Sequence, residues 1–332
     1  MANVSGGKLA AETCRAGALG FLAAGHLTSL DGLEKEIQVF RQTAPKDSPL
    51  CIGFIGHSSL KDSSAWDRVQ TVLDTHQPEV VQFFAPSLAV DPTGRTNNIE
   101  VAQKAGAKVF AQVCSVSEAR MALEGGADGL IVQGSEAGGH GFRRELGSGT
   151  LALSARIASI AAKDTPILAA GGIVDGRGLV AALALGCDGV VLGTRLWASL
   201  ETLGPASFRE RLASPESQPD AVVRTTVVDQ IYNSYAPTPW PAPYDSVGMI
   251  RNDTSDRWDG RTADLAAAME AQNVAAEYQD AVRSGDPDIA AVLCGEGVGD
   301  IHSIDKAYDI LNNINNEAVS ILQGLSHKHL TE

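Results

Sequence analysis

One histidine stands at the end of the most glycine-dense stretch of this chain, Gly129-Leu130-Ile131-Val132-Gln133-Gly134-Ser135-Glu136-Ala137-Gly138-Gly139-His140-Gly141. An imidazole exchanges protons near neutral pH, so His140 is a candidate base or hydrogen-bond donor. Five glycines in thirteen positions need a local reason, because glycine loses more backbone entropy on folding than any other residue. Left-handed turns and close approach of backbone to a ligand are two such reasons. A tight strand-to-helix turn carrying a surface histidine would satisfy the same composition.

A second constellation is Ala169-Ala170-Gly171-Gly172-Ile173, followed by Gly176-Arg177-Gly178 and then Gly193-Thr194-Arg195. Gly171, Gly172 and Gly193 can expose backbone N–H groups, and Thr194 adds a hydroxyl, which together suit a phosphate monoester without any lysine. The competing role is tight turns alone. Gln112 and Gln133 end two successive apolar runs, so their amides can face a common mouth or simply cap strand ends. Glu136 reads as a loop-fixing acceptor or a base, His26 and His57 as solvated loop histidines or lining of the same mouth, and Arg143-Arg144 as a solvated pair or a steering site for an anionic substrate. Asp175 suits a helix cap and Asp188 a turn. His302, His327 and His329 receive no role. No Ser–His–Asp order, carboxylate pair or metal-ligand cluster is discernible.

The elements that must position these residues are short apolar runs at Ala18–Ala24, Leu50–Ile55, Val80–Phe84, Val109–Val113, Gly129–Val132, Pro166–Ala170 and Gly189–Leu192. Bounded by Gly, Pro or Asp, they read as buried parallel strands. Helical stretches lie between them, and a recurrent helix–Gly–small–strand punctuation (Gly17, Gly106, Gly125-Gly126, Gly186) suits a left-handed helix end. Strict alternation predicts an α/β fold of the TIM (β/α)8 type, whose C-terminal face carries the site. Seven strands are legible where eight are wanted. The chain runs from Met1–Gly7 straight into the helix Lys8–Arg15, so the first strand is the missing one. The expected division is a barrel over 1–213, a lid lobe over 214–300 whose residues 214–260 are rich in Pro, Asp, Ser and Trp with no clear period, and a C-terminal helix within 301–332. Residues 262–284 read as one helix.

At 332 residues with a net charge of −14 and no basic block, the chain is a poor candidate for nucleic acid or anionic membranes. Five scattered cysteines in no CxxC pair fit a reducing compartment, and the absence of a long apolar run or signal-like start completes the expectation of a cytoplasmic protein. Oligomeric state is not legible.

With both constellations in view the chain resembles the nitronate monooxygenases, formerly 2-nitropropane dioxygenases, from Met1 to about Ala318. The resemblance rests on Gln133–Gly141, Ala169–Gly178 and Gly193-Thr194-Arg195. It implies an FMN-dependent barrel that oxidises alkyl nitronates with O2 to a carbonyl compound and nitrite. His140 would be catalytic. Gly171, Gly172, Gly193 and Thr194 would hold the FMN phosphate, with Gln112, Gln133 and Gly134 near the flavin. Met1, Ala2 and Asn3 look like the end of the family's Ala-Pro-Met loop. Cys51-Ile52-Gly53-Phe54 stands where the family often has an asparagine. An FMN-dependent enoyl-acyl-carrier-protein reductase shares the same loops and is the alternative, although a chain this acidic is poorly suited to an acidic carrier. A non-catalytic or truncated flavin-binding barrel, suggested by the missing strand, is the other.

Overall fold

A computed structural model describes residues 1, 3–25, 29–59, 63–87, 97–235, 239–271 and 273–329. Seven parallel strands form one sheet: β1 (Phe21–Gly25), β2 (Cys51–Ile55), β3 (Val80–Phe84), β4 (Lys108–Val113), β5 (Gly129–Gln133), β7 (Ile167–Ala170) and β8 (Gly189–Val191). They lie side by side in chain order. A short strand β6 (Gly139–Gly141) interrupts the series and belongs elsewhere. All seven strands expected from the sequence are present, the first beginning at Phe21 rather than Ala18.

The four punctuating glycines are the reason each strand starts where it does. Gly17, Gly106, Gly126 and Gly186 have φ between +84° and +94°. After each, the next N–H reaches back to a carbonyl in the last turn of the helix, as Ala127 does to Ala122 at 3.0 Å. That left-handed closure ends the helix and turns the chain into the sheet.

β1 and β8 are the edges of the sheet and do not pair with each other. On the free edge of β1 lies Ser5, whose carbonyl accepts from Ala23 N at 3.1 Å and whose hydroxyl donates to Phe21 O at 2.6 Å. The C-terminal helix Ala307–His329 packs on both the helix Gly7–Arg15 and the helix Gly176–Ala184, which flank opposite edges. The sheet is therefore curled, and Leu9, Leu196, Ala307, Ile310 and Ile314 form one cluster across the gap. The crossing with Gly176–Ala184 is tight. A Cβ on Gly176 would come within 2.5 Å of Ala318 N, while Gly176 N donates to Glu317 Oε2 at 2.8 Å.

The segment without clear periodicity builds a second, antiparallel sheet in the order β6–β10–β9, from β9 (Val222–Thr225) and β10 (Ser246–Ile250). His140 pairs with Val247 in it, so part of the glycine-rich segment is a strand and not a loop. Residues 262–284 form two helices, Thr262–Ala271 and Val274–Ser284, because Asn273 leaves helical geometry. Among the described residues no helix is long and apolar enough to cross a membrane.

Candidate functional site

β5 delivers the chain to the barrel mouth, and the turn after it is fixed by four devices. The Glu136 carboxylate accepts from Thr150 N at 2.7 Å and Thr150 Oγ1 at 2.8 Å. Arg224 of β9 donates to the carbonyls of Ala137 at 2.5 Å and Gly139 at 3.3 Å. Glu296 N donates to Glu136 O at 2.9 Å. A Cβ on Gly138 would collide with the Cys294–Gly295 backbone, and one on Gly134 with Thr150. These two glycines therefore serve close packing of backbone, and both backbone groups of Gly134 are bonded within the protein, its N–H to Ala170 O. Burial disfavours the charge of Arg224 and depresses its pKa, and carbonyls are what hold its guanidinium.

His140 is what this scaffold presents. Its Nε2 lies 2.8 Å from Oδ1 of Asp229, on the lobe helix Val227–Asn233. Asp229 is the contact of His140 that the sequence does not single out, since 89 positions separate the pair and the segment around it shows no period. The imidazole stacks on Trp240, with ring centroids 3.8 Å apart and planes 16° off parallel. His57 and Phe84 pack against the same indole at 4.7 and 5.7 Å. His57 is thus part of the mouth and not a solvated loop histidine. His26 lies outside the described residues.

Inside the mouth three amides form a chain across adjacent strands. Gln82 donates to Gln112, Gln112 donates to Gln133, and Gln133 donates to the His140 carbonyl at 2.7 Å. Gln82 was not singled out in the sequence. Its signal is Gly53, the departure in Cys51-Ile52-Gly53-Phe54, where a Cβ would come 2.6 Å from the Gln82 amide oxygen.

Gln133 pairs directly with Ala170, so the His140 turn and the Gly171-Gly172 pair leave the ends of neighbouring strands. Gly171 and Gly172 have φ of +117° and +71°, which L side chains rarely adopt. A Cβ on Gly193 would meet nothing within 4 Å, so the backbone there faces open space. The Thr194 hydroxyl accepts from Gly295 N at 2.9 Å and keeps its own proton to donate. Arg195 points away from this region, donating to Ser303 O and Asp305. Met1 and Asn3 lie in a turn, with Met1 O accepting from Val4 N at 3.1 Å and Ser5 N at 3.0 Å. Ala2 is outside the described residues.

Around the rim, Arg143 forms a two-point ion pair with Asp245, while the exposed Arg144 reaches Glu296 at 3.4 Å. The Tyr244 hydroxyl donates to Glu118, whose carboxyl burial pushes up to about 7. The buried Cys114 and Cys294 thiols are pushed well above their usual range, chiefly by burial, and supply no thiolate nucleophile. No group of three or more His, Cys, Asp or Glu able to hold a metal occurs among the described residues. A surface hollow of about 470 Å³ beside Val274–Ser284 contains none of the site residues and carries Glu277, Asp280 and Asp286, the wrong charge for an anion.

The fold is a curled (β/α) barrel-type sheet of seven parallel strands with a histidine at its mouth. The model of the nitronate monooxygenase family matches residues 1–317, and the chain belongs to that family. Among curated relatives, the nitronate monooxygenase of Neurospora crassa is 31% identical over 95% of this chain and 86% of that protein. A (3aS,4S,5R,7aS)-5-hydroxy-7a-methyl-1-oxo-octahydro-1H-indene-4-carboxyl-CoA dehydrogenase from Mycobacterium tuberculosis is 26% identical over 97% and 92%. Among solved structures, FabK from Thermotoga maritima superposes with a TM-score of 0.77 at 27% identity, covering 99% of this chain and 93% of that one. A nitroalkane oxidase from Streptomyces ansochromogenes shares the fold, with a TM-score of 0.76 at 24% identity over 98% and 96%.

Proposed function

We propose that this chain is an FMN-dependent nitronate monooxygenase that converts an alkyl nitronate and O2 into a carbonyl compound and nitrite. The observation that carries the reading is the Gln133–Ala170 pairing, from which the turn leading to His140 and the Gly171-Gly172 pair leave neighbouring strand ends. The backbone is open to the phosphate of a flavin mononucleotide at Gly193, where a side chain would meet nothing within 4 Å, and the left-handed Gly171-Gly172 pair turns the neighbouring loop against Glu136 and Thr150. Gly171, Gly172, Gly193 and Thr194 would hold the phosphate, and the Gln82–Gln112–Gln133 amides would face the ring. Bound there, the flavin supplies the electron transfer between nitronate and O2.

The protein's own part is binding and proton management. His140 hydrogen-bonds the nitro group of an anionic nitronate, or takes the α-proton when a neutral nitroalkane enters. Trp240 covers one face of the imidazole, with Phe84 packed against the indole. In this reading residues 1–213 carry the cofactor, 214–300 roof the mouth, 301–332 brace the barrel, and the partner is a small molecule. His140→Asn is expected to keep bound FMN, seen in the visible absorbance, and to lose most nitronate-dependent oxygen uptake. Full retained uptake would sink the assignment.

The likeness to the mycobacterial acyl-CoA dehydrogenase favours a second reading, a flavin enzyme acting on acyl thioesters. Anaerobic mixing with a saturated carboxyl-CoA thioester separates it from the first: rapid flavin bleaching supports the thioester dehydrogenase, and an unbleached flavin supports the monooxygenase.

A further inference from the structure

Asp229 sits where a carboxylate is expensive. Its side chain is 3% exposed, and the neighbouring Val227, Val228 and Ile231 belong to an apolar cluster. Its Oδ1 is on His140 Nε2, and its Oδ2 has no hydrogen-bond partner among the described residues. A buried carboxylate held by one donor is a poor stabilising device, because its desolvation is only partly offset. An ionised carboxylate can only accept, so the His140 nitrogen facing it must carry the proton.

We propose that Asp229 is the positioning residue that sets the tautomer of His140, keeping hydrogen on Nε2 and leaving the Nδ1 lone pair for substrate. The proposal rests on the function given above and says how the imidazole is prepared for it. With a neutral nitroalkane the α-C–H bond breaks, its proton goes to Nδ1, and the electron pair moves onto the nitro group to give the nitronate. The imidazolium so formed keeps its Nε2–H on the Asp229 carboxylate. Trp240 stacks on the ring at 3.8 Å, so a flip exchanging the two nitrogens has to break that contact on the way.

The test is nitrogen NMR of holoenzyme labelled with ¹⁵N-histidine, at a pH where the ring is neutral, with the His140 signals identified by their loss in His140→Asn. The expected result is a protonated Nε2 and a bare Nδ1. In Asp229→Asn the amide NH2 can donate to Nε2. The proton is then expected on Nδ1, and kcat for a nitroalkane falls by on the order of 10²–10⁴ while KM stays within about threefold. A wild-type ring protonated on Nδ1 overturns the proposal, as does an Asp229→Asn enzyme with unchanged tautomer and unchanged kcat. Should that variant not fold, the wild-type spectrum decides alone. An enzyme inactive on nitronates would remove the proposed function and leave the tautomer measurement intact, so the two failures are distinguishable.

Discussion

At the scale of single residues, the site is defined as much by what each side chain is denied as by what it touches. Glu118 shows this. Its carboxyl accepts from Cys114 N at 2.6 Å and from the Tyr244 hydroxyl, yet burial is the dominant influence and raises its pKa from 4.5 to about 7. The folded protein therefore binds a proton here more tightly than the unfolded chain between roughly pH 4.5 and 7. The sign follows: stability is highest below that window, declines as pH rises through it, and stays lower above pH 7. Glu118→Gln keeps an acceptor for Cys114 and an amide donor for Tyr244 but cannot ionise. Melting curves across pH 5–8 should show the variant gaining on the wild type as pH rises, by on the order of 1–3 kcal/mol at pH 8. A difference independent of pH would count against the buried carboxyl.

At the scale of elements, the glycines divide into two classes that the sequence could not separate. Gly134 and Gly138 are required because Thr150 and the Cys294–Gly295 backbone stand where their side chains would be. Gly193 faces open space, so nothing in the fold forbids a side chain there. Gly193→Asp is accordingly expected to leave the melting temperature within a few degrees of wild type. It should abolish FMN retention, because a carboxylate would occupy and repel the phosphate position. Visible absorbance of the purified variant, read beside its melting curve, checks both halves. A yellow Gly193→Asp protein would exclude this loop from the phosphate site.

At the scale of the whole molecule, a sheet with two free edges has to be closed by something other than strand pairing. Ser5 covers part of one edge, and the C-terminal helix spans the helices on both sides of the gap. Removing residues 307–332 would uncover Leu9 and Leu196 and discard the buried Ile310, Ile314 and Ala318. At about 1.5–3 kcal/mol for each large apolar side chain returned to water, the loss is comparable to the whole stability of a typical domain. The truncated chain should aggregate or lose cooperative melting in calorimetry. A soluble, cooperatively melting truncation would show that the barrel closes without its brace.

The sequence by itself determined the strands, the helix-ending glycines and the two loops that meet at the mouth. Those signals are local: apolar runs bounded by breakers, and backbone geometries that only glycine adopts. The break at Asn273 escaped notice because two adjacent helices share one composition of small residues. Tertiary structure alone decided that Gly139–Gly141 is a strand of a second sheet, that Gln82 joins the amide chain, and that Asp229 meets His140. Each of these is a pairing between segments distant in the chain. Apart from Gly53, which leaves the room that Gln82 uses, nothing in the spacing of residues records these pairings, because the geometry exists only once the barrel has curled and the lobe has folded over its mouth.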